Sequence, residues 1–170
     1  MPPPSRTPKK ANPRGPTADL AFLDQCVLFD VHRVSRVLTA LYNSHLREAG
    51  VTVTQFTLLQ SINAIAPAGI TRVAESMVMD RTSVTRLIEP LLAQGFLATE
   101  PGEDRRFRNL VVTKEGKKAI ARAEPAWRAA QAELHSRVGT TQWLHMRDAL
   151  RTTLKLMRQD NGPANPEAAE

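Results

Sequence analysis

Two clusters of cationic and hydroxyl side chains in this sequence have the chemistry to bind nucleic acid. The first cluster comprises Arg81, Thr82, Ser83, Thr85 and Arg86. The second is Asp104-Arg105-Arg106, inside the charged stretch 101–106. Arginine can donate two parallel hydrogen bonds to a guanine, and serine and threonine can reach bases or phosphates. A helix that carries the first cluster and a loop that carries the second would suit the grooves and phosphates of a DNA duplex.

The first cluster occupies the front of a predicted helix, residues 81–94, which Asp80 caps and Gly95 ends. An aspartate at this position accepts hydrogen bonds from free backbone N–H groups, and glycine readily ends a helix. Burial of an apolar stripe along one side of the helix would leave the polar cluster facing outward. The stripe consists of Val84, Leu87, Ile88, Leu91 and Leu92. Pro90 lies behind this surface, where a kink is tolerable.

The second cluster lies at the tip of a predicted two-stranded hairpin. Residues 96–100 and 107–112 have the composition of short strands that flank a charged loop. Thr113 then precedes a long helical pattern and is predicted to cap it.

Two further helices are predicted upstream of the first cluster. One begins with Thr54 as its cap and ends before Pro67, and the other covers about residues 72–78 after a Thr71 cap. Between them, residues 69–70 form either a short strand or a turn. The resulting order of helix, turn, helix, strand, charged loop and strand defines a winged helix-turn-helix.

The predicted fold class is therefore mainly α with a small β-hairpin wing. The winged helix-turn-helix covers about residues 54–113, and long helices over about 19–49 and 114–159 flank it. The apolar residues of these helices recur at steps of three and four, and the central unit is too small to bury all of these seams. We predict a single domain over residues 19–159 whose flanking helices form a homodimer interface. The alternative is core packing within one chain.

The two ends of the chain differ from the rest in composition. Residues 1–18 contain six prolines and four basic residues, and residues 160–170 are rich in helix breakers. We predict that both ends are disordered. The basic arm either adds weak phosphate contacts or is an inert tail. Of the net charge of +6, residues 1–18 carry +4 and residues 160–170 carry −3, which leaves +5 on residues 19–159.

The composition limits the class of protein. The chain has 170 residues, of which 42% are hydrophobic and 24% are charged, as expected for a folded chain. A basic domain is compatible with nucleic acid, an anionic membrane or acidic ligands. No apolar run approaches the ~20 residues of a membrane span, and the N-terminus lacks the apolar core of a signal peptide. We therefore expect a cytoplasmic protein without a membrane partner.

The sequence offers no support for catalysis, a metal site or a cofactor. The four histidines are not spaced three or four residues apart, and the only cysteine, Cys26, excludes a disulfide within the chain. Glycine-rich phosphate loops, nucleophile elbows and metalloprotease helices are missing from the sequence. We therefore predict that the protein is not an enzyme.

These residues resemble the MarR family of bacterial transcription regulators. The matching segments are residues 53–56, 73–75, 80–87, 95–97, 104–106 and 110–113. The resemblance extends over about residues 20–158 and implies a homodimer, with paired recognition helices and wings on a pseudo-palindromic operator. It also implies that Arg106 enters the minor groove and that Asp104 holds this arginine in place.

The family resemblance further implies a small effector, often an aromatic or phenolic acid, between the dimer helices and the DNA-binding lobe. Candidate residues for that pocket are His32, Arg36, Phe56 and Trp127. Histidine and arginine could meet an acidic group, and the aromatic rings could stack on the effector. The alternative for both aromatic residues is ordinary core packing, and for His32 and Arg36 it is a solvated or intersubunit ionic face.

The leading interpretation is a sequence-specific regulator of transcription, a repressor that an effector releases from DNA. One alternative is a redox-sensing regulator that uses Cys26. In the peroxide-sensing branch of the family the reactive cysteine would fall at Leu28, about 200° away around a helix from Cys26. The other alternative is a winged helix that binds proteins. The cationic helix front and wing argue against it.

Overall fold

The computed structural model describes residues 23, 25–102 and 108–159. The helices and strands follow each other in the predicted order. The helices are α1 (Val27–Leu46), α2 (Val53–Ile65), α3 (Ile70–Met77), α4 (Arg81–Ala93), α5 (Lys114–Val138) and α6 (Thr140–Gln159). The strands are β1 (Ala68–Gly69), β2 (Leu97–Pro101) and β3 (Arg108–Val112). A short 3-10 turn, Arg47–Ala49, follows α1. The predicted fold class, mainly α with a small β wing, is confirmed.

The chain divides into two compact units, residues 1–37 and residues 38–170. The described part of the first unit is the start of α1. The second unit contains the rest of α1, the helix-turn-helix, the sheet and the helices α5 and α6. The predicted arm 1–18 and tail 160–170 lie outside the described residues.

The sheet has three antiparallel strands with β3 in the centre, in the order β1-β3-β2. Ala68 of β1 pairs with Leu110 of β3, and Leu97 of β2 pairs with Val112. The segment between α2 and α3 is therefore a strand, which decides between the two predicted alternatives. Since β1 joins the sheet beside the hairpin, the connection between α2 and α3 is fixed to the base of the wing.

Two predicted helix starts are wrong. The α2 helix is capped by Thr52 rather than Thr54: Thr52 Oγ1 accepts the N–H of Gln55 at 3.2 Å, and Gln55 Oε1 accepts the N–H of Thr52 at 2.9 Å. This reciprocal pair satisfies two backbone donors at once and fixes the helix start. The α3 helix begins directly after β1, with Gly69 at the cap position rather than Thr71, because strand pairing already sets the backbone there.

The core of the second unit is formed by side chains from the end of α1 and from α2, α3 and α4. Its fully buried large side chains are Leu46, Leu58, Leu59, Ile62, Val73, Val84 and Leu91. The seam of α5 also packs inside this chain: Ile120, Ala123, Ala130 and Leu134 are buried. Large exposed apolar side chains concentrate instead on two other helices. They are Val27, Leu28, Val31, Val34 and Val37 on α1, and Leu150, Leu154 and Leu156 on α6.

The turn between α3 and α4 holds a valine in the left-handed region. Val78 has φ 54° and ψ 47°, and its N–H donates to the carbonyls of Ala74 and Glu75. A β-branched residue is a genuine outlier in this conformation, which disfavours L-residues by about 1–2 kcal/mol. Val78 is 53% exposed, so its side chain contributes little packing that could offset this strain.

We expect Val78→Gly to raise the free energy of unfolding by about 1 kcal/mol. The relief of left-handed strain exceeds the extra entropy that glycine loses on folding, about 0.5–1 kcal/mol. Urea unfolding of the two proteins measures the change. Val78→Asn, which tolerates the same backbone region, should change stability in the same direction. A lower urea midpoint for both variants would contradict the assigned strain.

Candidate nucleic-acid interface

Local hydrogen bonds fix the start of α4. Asp80 Oδ1 accepts the backbone N–H of Ser83 at 2.8 Å, and Asp80 Oδ2 accepts the Ser83 hydroxyl at 2.6 Å. These bonds lower the pKa of the Asp80 carboxyl, first through the Ser83 hydroxyl and then through the Ser83 backbone N–H. The cap predicted from the sequence is therefore confirmed, and it holds the first turn of α4 in a defined orientation.

The buried side of α4 determines which side chains remain outside. Of the predicted stripe, Val84, Ile88 and Leu91 are buried, whereas Leu87 and Leu92 are half-buried. The exposed side chains of the predicted cluster are Arg81, in the first turn of α4, and Thr82, Thr85 and Arg86. Ser83 is half-buried because its hydroxyl is engaged in the cap. The Thr85 hydroxyl donates to the Arg81 carbonyl at 2.8 Å. The two arginines are thus the long exposed donors of this surface.

The lowered pKa of Asp80 predicts a stability that depends on pH. A carboxyl whose pKa is lower in the folded state stabilises the fold above its unfolded pKa, near 3.8, and this contribution disappears as pH falls through the folded value. We expect Asp80→Asn, which keeps an acceptor without the charge, to flatten the loss of stability below pH 4. Thermal unfolding between pH 3 and 7 tests this. Equal acid sensitivity of both proteins would contradict the role of the cap.

The base of the wing is described, and its tip is not. The predicted residues Asp104, Arg105 and Arg106 lie outside the described residues, so their roles stay predictions. At the base, Arg108 Nε donates to Thr99 Oγ1 at 3.0 Å and Arg108 Nη2 donates to the Thr99 carbonyl at 3.3 Å. We did not predict Arg108 from the sequence. The available signal was the single charged residue of this strand, at its outer end.

The hairpin is also fixed to the start of α5. The Thr113 hydroxyl donates to the carbonyl of Gly95 at 2.7 Å and accepts the N–H of Gly116 at 3.0 Å. Thr113 therefore caps α5, as predicted, and at the same time connects it to the end of α4. The inner end of the wing is consequently held by both neighbouring helices.

Two of the four predicted effector residues are adjacent. Phe56 is buried and Trp127 is half-buried, with ring centroids 6.1 Å apart. They line an open cavity of about 340 Å³ together with Thr57, Gln60, Ser61 and Glu124. The other two predicted residues, His32 and Arg36, are exposed on α1 in the first unit.

Four residues of this cavity were missed in the sequence. Phe56 and Gln60 are four residues apart, as are Thr57 and Ser61, so each pair shares one side of α2. That spacing was the signal which could have revealed the polar residues. Glu124, one turn before Trp127 on α5, is paired with Arg128 at 2.5 Å.

Cys26 is half-buried and directly precedes α1. Among the residues that the structure describes, no group of three or more His, Cys, Asp or Glu side chains could hold a metal ion. In the same part of the chain, no helix is both long and apolar enough to cross a membrane.

Comparison with known proteins identifies the winged helix. Residues 51–106 match the model of the MarR family. The winged-helix part of this chain is therefore similar to the MarR family. A MosR transcriptional regulator from M. tuberculosis, solved in complex with DNA, is 28% identical and has a TM-score of 0.71. The match covers 81% of this chain and 100% of MosR. The proteins that this chain resembles are transcription regulators, and MosR was solved bound to DNA.

Two other matches extend the comparison. The HTH-type transcriptional regulator YwoH of Bacillus subtilis is 23% identical over 99 residues, which are 58% of this chain and 72% of YwoH. BpsR of Bordetella bronchiseptica, whose DNA binding is regulated by 6-hydroxynicotinic acid, is 18% identical in sequence to this chain. The match covers 76% of this chain and 94% of BpsR with a TM-score of 0.69, so this likeness concerns the fold alone.

Proposed function

We propose that this protein is a homodimeric repressor of the MarR type that binds a pseudo-palindromic DNA operator and is released by a small effector. The observation that carries the proposal is the front of α4, where exposed Arg81 and Arg86 flank a turn fixed by Asp80. In a helix-turn-helix the second helix enters the major groove and its N-terminal residues contact base edges.

The opposite side of α4 supports this orientation. Val84, Ile88 and Leu91 are fixed in the core, so the cationic side of the helix cannot rotate inward without exposing them. A recognition helix held in this way loses little freedom when it binds, which favours specific contacts. Arg81 and Arg86 would then read guanines, while the exposed threonines contact bases or phosphates.

The exposed apolar side chains of α1 and α6 support a dimer. Val27 is 75% exposed, Val37 is 68% exposed and Leu156 is 55% exposed. Large contiguous apolar surfaces on soluble chains mark interaction sites, and closed two-fold dimers are the most frequent assemblies. We infer that a second copy covers these faces. The two recognition helices of such a dimer would read half-sites about one helical turn apart.

The cavity beside Phe56 and Trp127 supports control by an aromatic effector. His32 and Arg36, in the first unit, stay separate candidates for effector contact. The two rings of the cavity offer stacking surfaces, whereas Gln60 and Ser61 offer hydrogen-bond partners at its edge. Glu124 disfavours a carboxylate beside it and favours a hydroxyl or amide donor of the effector. BpsR, which shares the fold, gives a precedent for control by a hydroxylated aromatic compound.

The effector would act by shifting the equilibrium between a DNA-competent form of the protein and a form that cannot bind the operator. It releases the operator only if it binds a form with misplaced recognition helices more tightly than the DNA-competent form. A site beside α2 and α5 suits this action, because α2 packs on α3, which packs on α4, and α5 packs on β3 of the wing. Binding there would change the position of α4 without contacting DNA.

Footprinting of the region upstream of its own gene tests the proposal at physiological salt. We expect two protected half-sites separated by about 10 base pairs. Failure to protect any specific sequence, together with capture of a protein partner, would support a protein-binding winged helix instead. Cys26→Ser separates the redox alternative: loss of DNA binding on oxidation of the wild type, but not of this variant, would favour a thiol sensor.

A further inference from the structure

Arg108 occupies a distinctive position at the outer end of the central strand. Side chains alternate between the two faces of a strand, so Arg108 shares a face with Leu110 and Val112. Both of these residues are buried against the helices, whereas Arg108 is exposed. Its side chain therefore leaves the hairpin on the side of the helices, just beyond the edge of the core.

The guanidinium of Arg108 is held in place by the neighbouring strand. Thr99 accepts two hydrogen bonds from it, one through its hydroxyl and one through its carbonyl. Arginine carries five N–H donors, so three remain after these two bonds. Within residues 25–102 and 108–159, Arg108 makes no ion pair with a carboxylate. Its positive charge is therefore both positioned and not neutralised by the described part of the chain.

A duplex that meets α4 in its major groove and the wing in its minor groove must carry one sugar-phosphate backbone between these two elements. The hairpin contacts α4 through β2, so this backbone would pass along the side of the hairpin that packs against the helices. We propose that Arg108 binds a phosphate of this intervening backbone, with Thr99 as the residue that positions it. The inference rests on the proposed DNA-binding function and adds a contact at the base of the wing.

The pairing with Thr99 explains why this contact would be effective. A flexible surface arginine loses side-chain entropy when it binds, whereas the Thr99 bonds already restrict Arg108. Charge-assisted hydrogen bonds from arginine to phosphate are short and strong. A phosphate contact carries no sequence information itself, but it fixes the register of the protein on the duplex.

Binding titrations over a series of salt concentrations test the proposal in the full-length protein. The probes are the duplex protected in the footprint and a scrambled duplex of the same composition. For Arg108→Gln we expect about tenfold weaker binding to both probes and a salt slope reduced by about 1. Arg128→Gln, on the exposed surface of α5, should leave both quantities unchanged.

Two substitutions of Thr99 separate positioning from charge. Thr99→Val removes the hydroxyl acceptor while the charge of Arg108 remains, so we expect weaker binding with an unchanged salt slope. Thr99→Ser keeps the hydroxyl and should bind like the wild type. This pattern, together with the reduced slope of Arg108→Gln, supports the assignment of both residues.

The outcomes against the proposal are distinct. Unchanged affinity and slope for Arg108→Gln would overturn the phosphate contact. Weaker binding with an unchanged slope and a lower melting temperature would show that Arg108 only braces the hairpin, which also overturns it. Equal binding of the wild type to both probes would refute the proposed sequence-specific function, before any variant is compared.

Discussion

Gly116→Ala is expected to destabilise the protein by about 3 kcal/mol, the upper end for overpacking a core. A Cβ atom at Gly116 would lie 2.1 Å from the Phe96 carbonyl oxygen and 2.8 Å from Val112 Cγ1. The carbonyl cannot move aside freely, since it accepts a hydrogen bond from the backbone N–H of Thr113 at 3.1 Å. The first turn of α5 would therefore separate from the wing.

The sign of the change in the free energy of unfolding distinguishes the effect of this close contact from that of intrinsic helix propensity. Alanine in place of glycine ordinarily stabilises a helix interior by about 0.8–1.0 kcal/mol, so propensity alone predicts the opposite change. Urea unfolding measures the difference. Lys117→Ala, at the next and exposed position of α5, should have little effect. A Gly116→Ala protein as stable as the wild type would show that the start of α5 packs less closely on the Phe96 carbonyl than described.

The second large effect is expected in DNA binding. Arg81→Ala and Arg86→Ala should each weaken operator binding by about 1–3 kcal/mol, the range for an arginine that reads a base. Both side chains are exposed, so the melting temperatures of the two variant proteins should remain close to that of the wild type. Discrimination between operator and scrambled duplex should decrease as well, because a base contact is lost.

The same titration provides controls for this prediction. Arg128→Ala removes an exposed arginine from α5 and should leave operator affinity unchanged. Arg106→Ala tests the wing independently, with an expected loss of at least ~1 kcal/mol. If neither substitution in α4 changed discrimination, the helix would not be the element that reads the operator.

Local signals made α4 and α5 predictable. Asp80 and Thr113 cap the helices that follow them, and each cap depends on residues three positions away in sequence. The buried stripe of α4 likewise follows from its spacing. Thr54 failed as a cap because Thr52, two residues earlier, has Gln55 at the position that completes the reciprocal pair. Two threonines in one segment gave similar signals, and only the partner residue distinguished them.

Contacts between distant segments could not be predicted in this way. His45 Nε2 lies 2.7 Å from Glu133 Oε2 across 88 residues, and the contact of Gly116 with Phe96 depends on how α5 meets the wing. Nothing in the local sequence marks such pairs, because the packing of whole elements creates them. The family resemblance predicted the region of Phe56 and Trp127, but not the Glu124 carboxylate that changes the chemistry expected of an effector.

The central position of β3 has a consequence for protein engineering. Both partners of this strand lie between residues 68 and 112, and α3 and α4 lie within the same interval. A chimera that exchanges this interval with a homologue would transfer both strand registers and the recognition helix as one cassette. If α4 reads the operator as proposed, operator preference would be transferred while α1, α2, α5 and α6 of the recipient are retained.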